Sequence, residues 1–230
     1  MLLYSVKDIR QFFIDELNDE AYTIDKTGAK TIEMIGASFL ATEPTIFGKP
    51  SESYIDAEIK WYESESTNIY DIHGPIKAPP AAWKYSADPH GNINSNYGHL
   101  IYSDKYYSQF DNVVDELVLN PDGRRATMVY NRPSIWVEYD EGGKSDFICT
   151  NAVTYYIRNN ELQSVVQMRS NDVVFGYKND YAWQRYVMDR ICEAMNDHDD
   201  RIFEEDILPG FMHWQVQNLH VYERHFDLVK

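Results

Sequence analysis

Residues 149–183, CTNAVTYYIRNNELQSVVQMRSNDVVFGYKNDYAW, decide the fold. From Cys149 to Met168 the run mixes β-branched and aromatic residues around Asn159-Asn160, a pair suited to the turn of a tight hairpin. A polar segment from Arg169 to Asp180 follows, and Trp183, Val187 and Ile191 then recur at helical spacing, so a helix is expected from about Asp180 to Met195. Two strands, a turn and a helix thus bring a thiol, an arginine and several carboxyl or amide side chains into one local unit. That combination suits chemistry on a phosphorylated heterocycle.

Upstream, Ser5 and Asp8 have capping spacing, and Val6, Ile9, Phe13 and Leu17 give a helix over about 5–19. The turn 25–31 leads into a strand over 32–40, and Ser51 is expected to cap a second helix carrying Ile55, Glu58, Ile59 and Tyr62. Pro75, Pro79, Pro80, Gly74 and Gly91 make 70–98 mostly loop, and a third helix is expected from about Ser103 to Leu119, ending before the turn 120–123. Between Arg125 and Met168 four strand-like runs are read, at 128–130, 135–139, 153–157 and 164–168; a last strand runs from Trp214 to Tyr222. Helices and strands are interspersed without regular βαβ alternation, so the class is α+β with a mixed sheet, one domain over 1–230.

The chain has 230 residues, 43% of them hydrophobic and 25% charged, enough for one well-buried core. Its formal charge of −16 argues against a long nucleic acid, which needs a basic stripe, but leaves room for a mononucleotide in a local cationic pocket. No apolar run reaches membrane-spanning length, and the apolar start is interrupted at Lys7, Asp8 and Arg10, so no membrane partner and a cytoplasmic location are expected, the host's cytoplasm if the chain is phage-encoded. Two cysteines, Cys149 and Cys192, make no disulfide framework; each is read as a buried small hydrophobe or as a reactive thiol. The acidic stretch Asn196–Asp206 lacks the glycine and glutamate spacing of a calcium loop, so no metal is expected.

Seven blocks in order carry a wider pattern: 25–28 (DKTG), 58–61 (EIKW), 94–98 (NSNYG), 120–125 (NPDGRR), 145–151 (SDFICTN), 169–180 (RSNDVVFGYKND) and 219–222 (LHVY). With them the chain resembles the thymidylate synthase family, and within it the phage branch of deoxycytidylate (dCMP) hydroxymethylases. The resemblance covers nearly the whole chain. It implies that family's fold, a mixed sheet flanked by helices and packed against a dimer partner.

The resemblance also implies roles. Cys149 is the nucleophile that adds to carbon 6 of a pyrimidine, since carbon 5 is a poor nucleophile until something adds there. A thiolate needs positive surroundings, and Arg169 is expected to supply them. Arg169 and Ser170 would hold the phosphate from one chain, and Arg124 and Arg125 from the homodimer partner. Lys26 stands where thymidylate synthases usually carry an arginine on a phosphate-gripping loop. His220 and Tyr222, alternating on a strand and so facing one side, would hold the 3′-hydroxyl. Glu58 would manage protons and an ordered water, and Tyr97 would stand near the water that takes the carbon 5 proton. Asp172 would pair with the pterin of 5,10-methylenetetrahydrofolate, the implied co-substrate, and Trp83 would also contact it.

Asp180 replaces the family's usual asparagine. An asparagine complements the N3 hydrogen and O4 of uracil; cytosine offers an acceptor at N3 and a donor amine at carbon 4, so a carboxyl group that shares a proton with N3 fits better. The implied activity is transfer of a one-carbon unit to carbon 5 of dCMP, then hydration to 5-hydroxymethyl-dCMP. Other readings stay open: a CMP or dUMP hydroxymethylase, a thymidylate synthase, or a non-catalytic nucleotide-binding relative. An aspartate at a helix N-terminus is also favoured by the helix dipole.

Overall fold

A computed structural model describes residues 4–24 and 28–230. The strands are β1 (Tyr4–Ser5), β2 (Thr23–Ile24), β3 (Lys30–Leu40), β4 (Thr127–Val129), β5 (Thr150–Arg158), β6 (Glu161–Asp172) and β7 (Leu208–Tyr222). The helices are α1 (Val6–Asn18), α2 (Glu52–Glu63), α3 (Ala81–Ser86), α4 (Tyr97–Tyr102), α5 (Gln109–Leu119), α6 (Ile135–Glu138) and α7 (Gly176–Asn196). One mixed sheet forms in the order β1-β3-β7-β6-β5-β4, with β2 paired to β3.

The opening stretch builds its centre. Asn159 and Asn160 take positive φ, 55° and 59°, and close the β5–β6 hairpin, in which Val153 faces Val166 and Arg158 faces Glu161. β6 then runs parallel to β7, and β7 pairs antiparallel with β3. Leu162, Ser164, Val166 and Met168 alternate inward on β6. They meet Trp183, Val187, Met188 and Ile191 of α7 in one core with Trp61, Phe39 and Trp214. Each such large apolar side chain contributes on the order of 1.5–3 kcal/mol when buried. The opposite face of the same strands carries Thr154, Tyr156, Val165, Gln167 and Gln215, all at least partly exposed.

Local chemistry sets the helix ends. Ser5 Oγ accepts from the Asp8 amide while Asp8 accepts from the Ser5 amide, the expected reciprocal cap, worth about 1 kcal/mol. Ser51 precedes α2, but its side chain makes no cap bond. Gly98 is required where α4 meets the end of α2: a Cβ there would lie 1.8 Å from the Tyr62 carbonyl oxygen. Asp146 ties two distant segments together by accepting from the amides of Asn94 and Ser95 and from the Ser95 hydroxyl.

Four expectations change. The run 135–139 is not a strand but the helical turn α6: Pro133 precedes it, the Tyr139 amide donates to the Ile135 carbonyl, and Arg132 pairs with Glu138 across it. The helix expected from Ser103 is broken, because Tyr107 and Ser108 take left-handed φ values and only Gln109–Leu119 is α-helical after a short 3-10 turn. The loop 70–98 contains α3, begun by Pro80. α7 starts at Gly176, so Asp180 lies beyond its first turn and the dipole no longer accounts for it.

Candidate active site

β6 and β7 end side by side, β5 begins beside the end of β6, and α7 starts just beyond. Side chains carried at these chain ends converge there. Cys149 stands immediately before β5 and is partly exposed. Arg169 wraps around it: its amide donates to the Cys149 carbonyl, Nε to the Ile148 carbonyl at 3.0 Å, and Nη2 to the Phe147 carbonyl and to Cys149 Sγ at 3.5 Å. The guanidinium also lies over the Phe147 ring. Burial, helped by the charges of Asp180 and Asp146, pushes the thiol up to about 11 against the pull of Arg169.

Asp180 projects from α7, and its Oδ2 accepts from Asn171 Nδ2 at 2.7 Å, while Asn171 Oδ1 accepts from Trp214 Nε1 at 3.3 Å. Burial first, and the charge of Glu58 second, raise its carboxyl to about 8. Asp180 therefore holds its proton to higher pH than an ordinary aspartate. Glu58, buried on α2, is itself raised to about 7 by burial, with hydrogen bonds from Tyr54 and Trp83 opposing. Tyr54 OH donates to Glu58 Oε1 at 2.5 Å; Trp83 Nε1 lies 3.0 Å from the same oxygen and 2.9 Å from Tyr54 OH. Two acids thus face each other electrostatically with unequal proton affinities, an arrangement that separates an acid from a base.

His220 is buried on β7 and pairs in register with Glu33 and Asp172; its ring meets Tyr222 edge-on at 4.9 Å, so the two residues do share a side. Burial lowers the imidazole's affinity for a proton, which keeps it neutral. Ser170 is on β6 opposite Asn218. Tyr97 is buried between Tyr62 and Tyr130, and burial raises its phenol well above the usual range.

Asp172 caps the turn into α7, its Oδ1 accepting from the amides of Val174, Phe175 and Gly176. Its Oδ2 has no hydrogen-bond partner; His225 Nδ1 faces it at 3.8 Å, beyond hydrogen-bonding distance, and the His225 ring meets Phe175 edge-on. Oδ2 is thus buried with His225 as its charge partner, next to the ring of Phe175. Trp83 has two observed contacts, its ring on Trp61 and its N–H on the Tyr54–Glu58 pair.

Two expected anion contacts stand apart. Arg124 and Arg125 are exposed and line a separate surface groove with Glu116 and Asn120, Arg125 bonding Glu116 at 3.0 Å. Lys26 lies outside the described residues. Among the described residues no group of three His, Cys, Asp or Glu side chains is arranged to hold a metal, and no helix is long and apolar enough to cross a membrane. Sequence reading did not single out Tyr54, Asn171 or His225. Tyr54 had a signal, since it precedes Glu58 by four residues on a helix. Asn171 and His225 had none beyond proximity to named residues.

Comparison with known proteins gives three results. The family model described as thymidylate synthase matches residues 15–230. The chain is 47% identical over 225 residues to the deoxycytidylate 5-hydroxymethyltransferases of Enterobacteria phages T4 and T6, covering 98% of this chain and 89% of each relative. It is 24% identical to a thymidylate synthase of Fusobacterium nucleatum over 94% of this chain and 66% of that one. In three dimensions it is similar to the thymidylate synthase of T4 phage, with a TM-score of 0.73 and 21% identity, covering 96% of this chain and 78% of that one.

Proposed function

We propose, for a chain that belongs to the thymidylate synthase family, that it is a deoxycytidylate 5-hydroxymethyltransferase, forming 5-hydroxymethyl-dCMP from dCMP. The observation that carries this reading is the buried carboxyl of Asp180, fixed by Asn171 and pushed toward its protonated form by burial and the charge of Glu58. A neutral carboxylic acid offers one O–H to the cytosine N3 and one carbonyl oxygen to the amine at carbon 4. With its proton on the oxygen that faces N3, this carboxyl meets uracil, which carries a hydrogen at N3 and an oxygen at carbon 4, donor to donor and acceptor to acceptor.

In this reading Arg169 and Ser170 bind the phosphate and orient the nucleotide, with His220 and Tyr222 on the 3′-hydroxyl. The Cys149 thiol passes its proton to water as its sulfur bonds to carbon 6, and the Asp180 proton shifts to N3, which makes carbon 5 nucleophilic. 5,10-Methylenetetrahydrofolate supplies the one-carbon unit; Asp172, whose Oδ2 accepts no hydrogen bond, and the aromatic rings of Trp83 and Phe175 fit its flat ring system. Carbon 5 bonds to that one-carbon unit; the carbon 5 proton is then lost, toward the water near Tyr97, the bond from the unit to the folate nitrogen breaks, and tetrahydrofolate leaves behind an exocyclic methylene on the ring. Water then adds: its oxygen bonds to the methylene carbon, its proton goes to Glu58, and the methylene electron pair moves into the ring and expels the Cys149 thiolate from carbon 6. Substrate, folate and water thus give 5-hydroxymethyl-dCMP and tetrahydrofolate.

A homodimer is part of the proposal. Arg124 and Arg125 of a second copy would reach the phosphate, which accounts for their exposure away from Cys149. The sheet face bearing Tyr156, Val165 and Gln215 would pack against that copy. Side-by-side turnover of dCMP, CMP and dUMP tests the reading. Preference for dCMP with tetrahydrofolate as co-product supports it; preference for dUMP, or release of dihydrofolate, refutes it, and preference for CMP moves the substrate to the ribonucleotide.

A further inference from the structure

Glu58 holds both of its protein donors on one oxygen. Tyr54 OH at 2.5 Å and Trp83 Nε1 at 3.0 Å converge on Oε1, and among the described residues no donor stands on Oε2. Tyr54 is itself fixed: its hydroxyl accepts from Trp83 Nε1 at 2.9 Å, and its ring meets His73 edge-on at 6.0 Å. The three groups form a closed triangle across α2 and α3, from two elements that have no other reason to share hydrogen bonds. A carboxylate bonded through a single oxygen cannot rotate to exchange its two oxygens without breaking both bonds, so Oε2 keeps one direction. A base that must receive a proton from a water at a defined carbon needs that property.

Resting on the reading above, we propose that Tyr54 is a positioning residue for hydration: it locks Glu58 through Oε1, together with Trp83, and so leaves Oε2 to orient the water that adds to the exocyclic methylene. The tyrosine does not move a proton. Burial and the adjacent Glu58 charge hold its phenol well above the ordinary tyrosine range, so it remains a donor at every working pH. Its bond favours the ionised form of Glu58 and opposes the effect of burial. The titratable groups that feel the Glu58 charge are Tyr54 and Tyr62 on α2 and Asp180 on α7, and of these Tyr54 bonds the carboxylate. Trp83 on α3 contributes a donor without a charge change.

The test is Tyr54→Phe, which keeps the ring and removes only the hydroxyl, made in the wild-type and in the Glu58→Gln backgrounds. In the wild-type background kcat for hydroxymethyl formation should fall by about 10- to 100-fold, the worth of one hydrogen bond to a charged group, with the dCMP dissociation constant unchanged. The acidic limb of the kcat profile should move to higher pH, because the ionised carboxylate has lost a donor. In the Glu58→Gln background the second change should add little, since Tyr54 acts only through the carboxylate. An unmoved acidic limb, or a full additional loss in the Glu58→Gln background, overturns the proposal even if the wild-type protein makes 5-hydroxymethyl-dCMP. If the wild-type protein makes none, the proposed function fails instead.

Discussion

Replacing Asp180 by asparagine exchanges an acidic O–H for an amide NH2 that does not titrate, so its effects can be worked out in advance. Burial and the charge of Glu58 push the carboxyl up to about 8, which favours its protonated form near neutral pH. Asparagine keeps an oxygen for the Asn171 amide but loses the acidic O–H on cytosine N3. Loss of a positioned general acid is worth about 10²- to 10⁴-fold, and kcat/KM for dCMP should fall within that range. dUMP, whose N3 hydrogen and O4 an amide complements, should gain relative to dCMP. Stability should respond as well. The folded-state value lies above the unfolded one near 4, so the native state binds the extra proton between about pH 4 and 8 and loses stability as pH rises through that window, by up to about 1.4 kcal/mol per unit. Asp180→Asn carries no such slope and should melt higher than the wild type by a margin that grows from pH 6 to 8. Steady-state kinetics with both nucleotides and thermal melts across that range supply the readings. An Asp180→Asn variant that keeps the wild-type preference for dCMP, with a margin in melting temperature that does not change with pH, would refute the argument.

The remaining predictions concern the other groups of the site and one packing contact. The pH profile of kcat/KM should be bell-shaped with apparent limbs near 7 and 8, belonging to the Glu58–Asp180 pair jointly; activity that keeps rising past pH 9 contradicts it. Arg169→Gln should move the pH at which Cys149 becomes reactive to iodoacetamide upward from about 11, because the neighbouring guanidinium is gone; reactivity already complete near pH 8 in the wild type would show that burial does not dominate. Gly98→Ala should destabilise the fold by about 3 kcal/mol or more, or roughly 6–12 °C in melting temperature, since a methyl group meets the backbone of Tyr62 at 1.8 Å; an unchanged melt would mean α4 can shift freely.

What was legible in the sequence had local causes. Asn159-Asn160 can only close a tight turn of left-handed residues cheaply, and the Ser5–Asp8 cap is a short-range bond, so both are readable without the rest of the molecule. Ile135–Glu138 was misread because β-branched and aromatic composition speaks for a strand only where a partner strand exists. Here Pro133 and the Arg132–Glu138 pair close the segment on itself. Tyr107 and Ser108 break a continuous helical pattern with backbone angles that their side chains do not announce. In the site, residue types and order pointed to Cys149, Glu58 and Asp180, while their protonation did not follow from them. The upward shifts of the Asp180 carboxyl and the Cys149 thiol arise from burial, which depends on α2, α7 and the sheet closing together.

The central claim is that water, held by Glu58, completes the reaction on a dCMP methylene. Turnover of dCMP and 5,10-methylenetetrahydrofolate in heavy-oxygen water, with the nucleotide product analysed by mass spectrometry, tests it most directly. The account predicts 5-hydroxymethyl-dCMP with the label in its hydroxymethyl group and tetrahydrofolate beside it. A 5-methyl nucleotide without solvent oxygen, formed together with dihydrofolate, would contradict it.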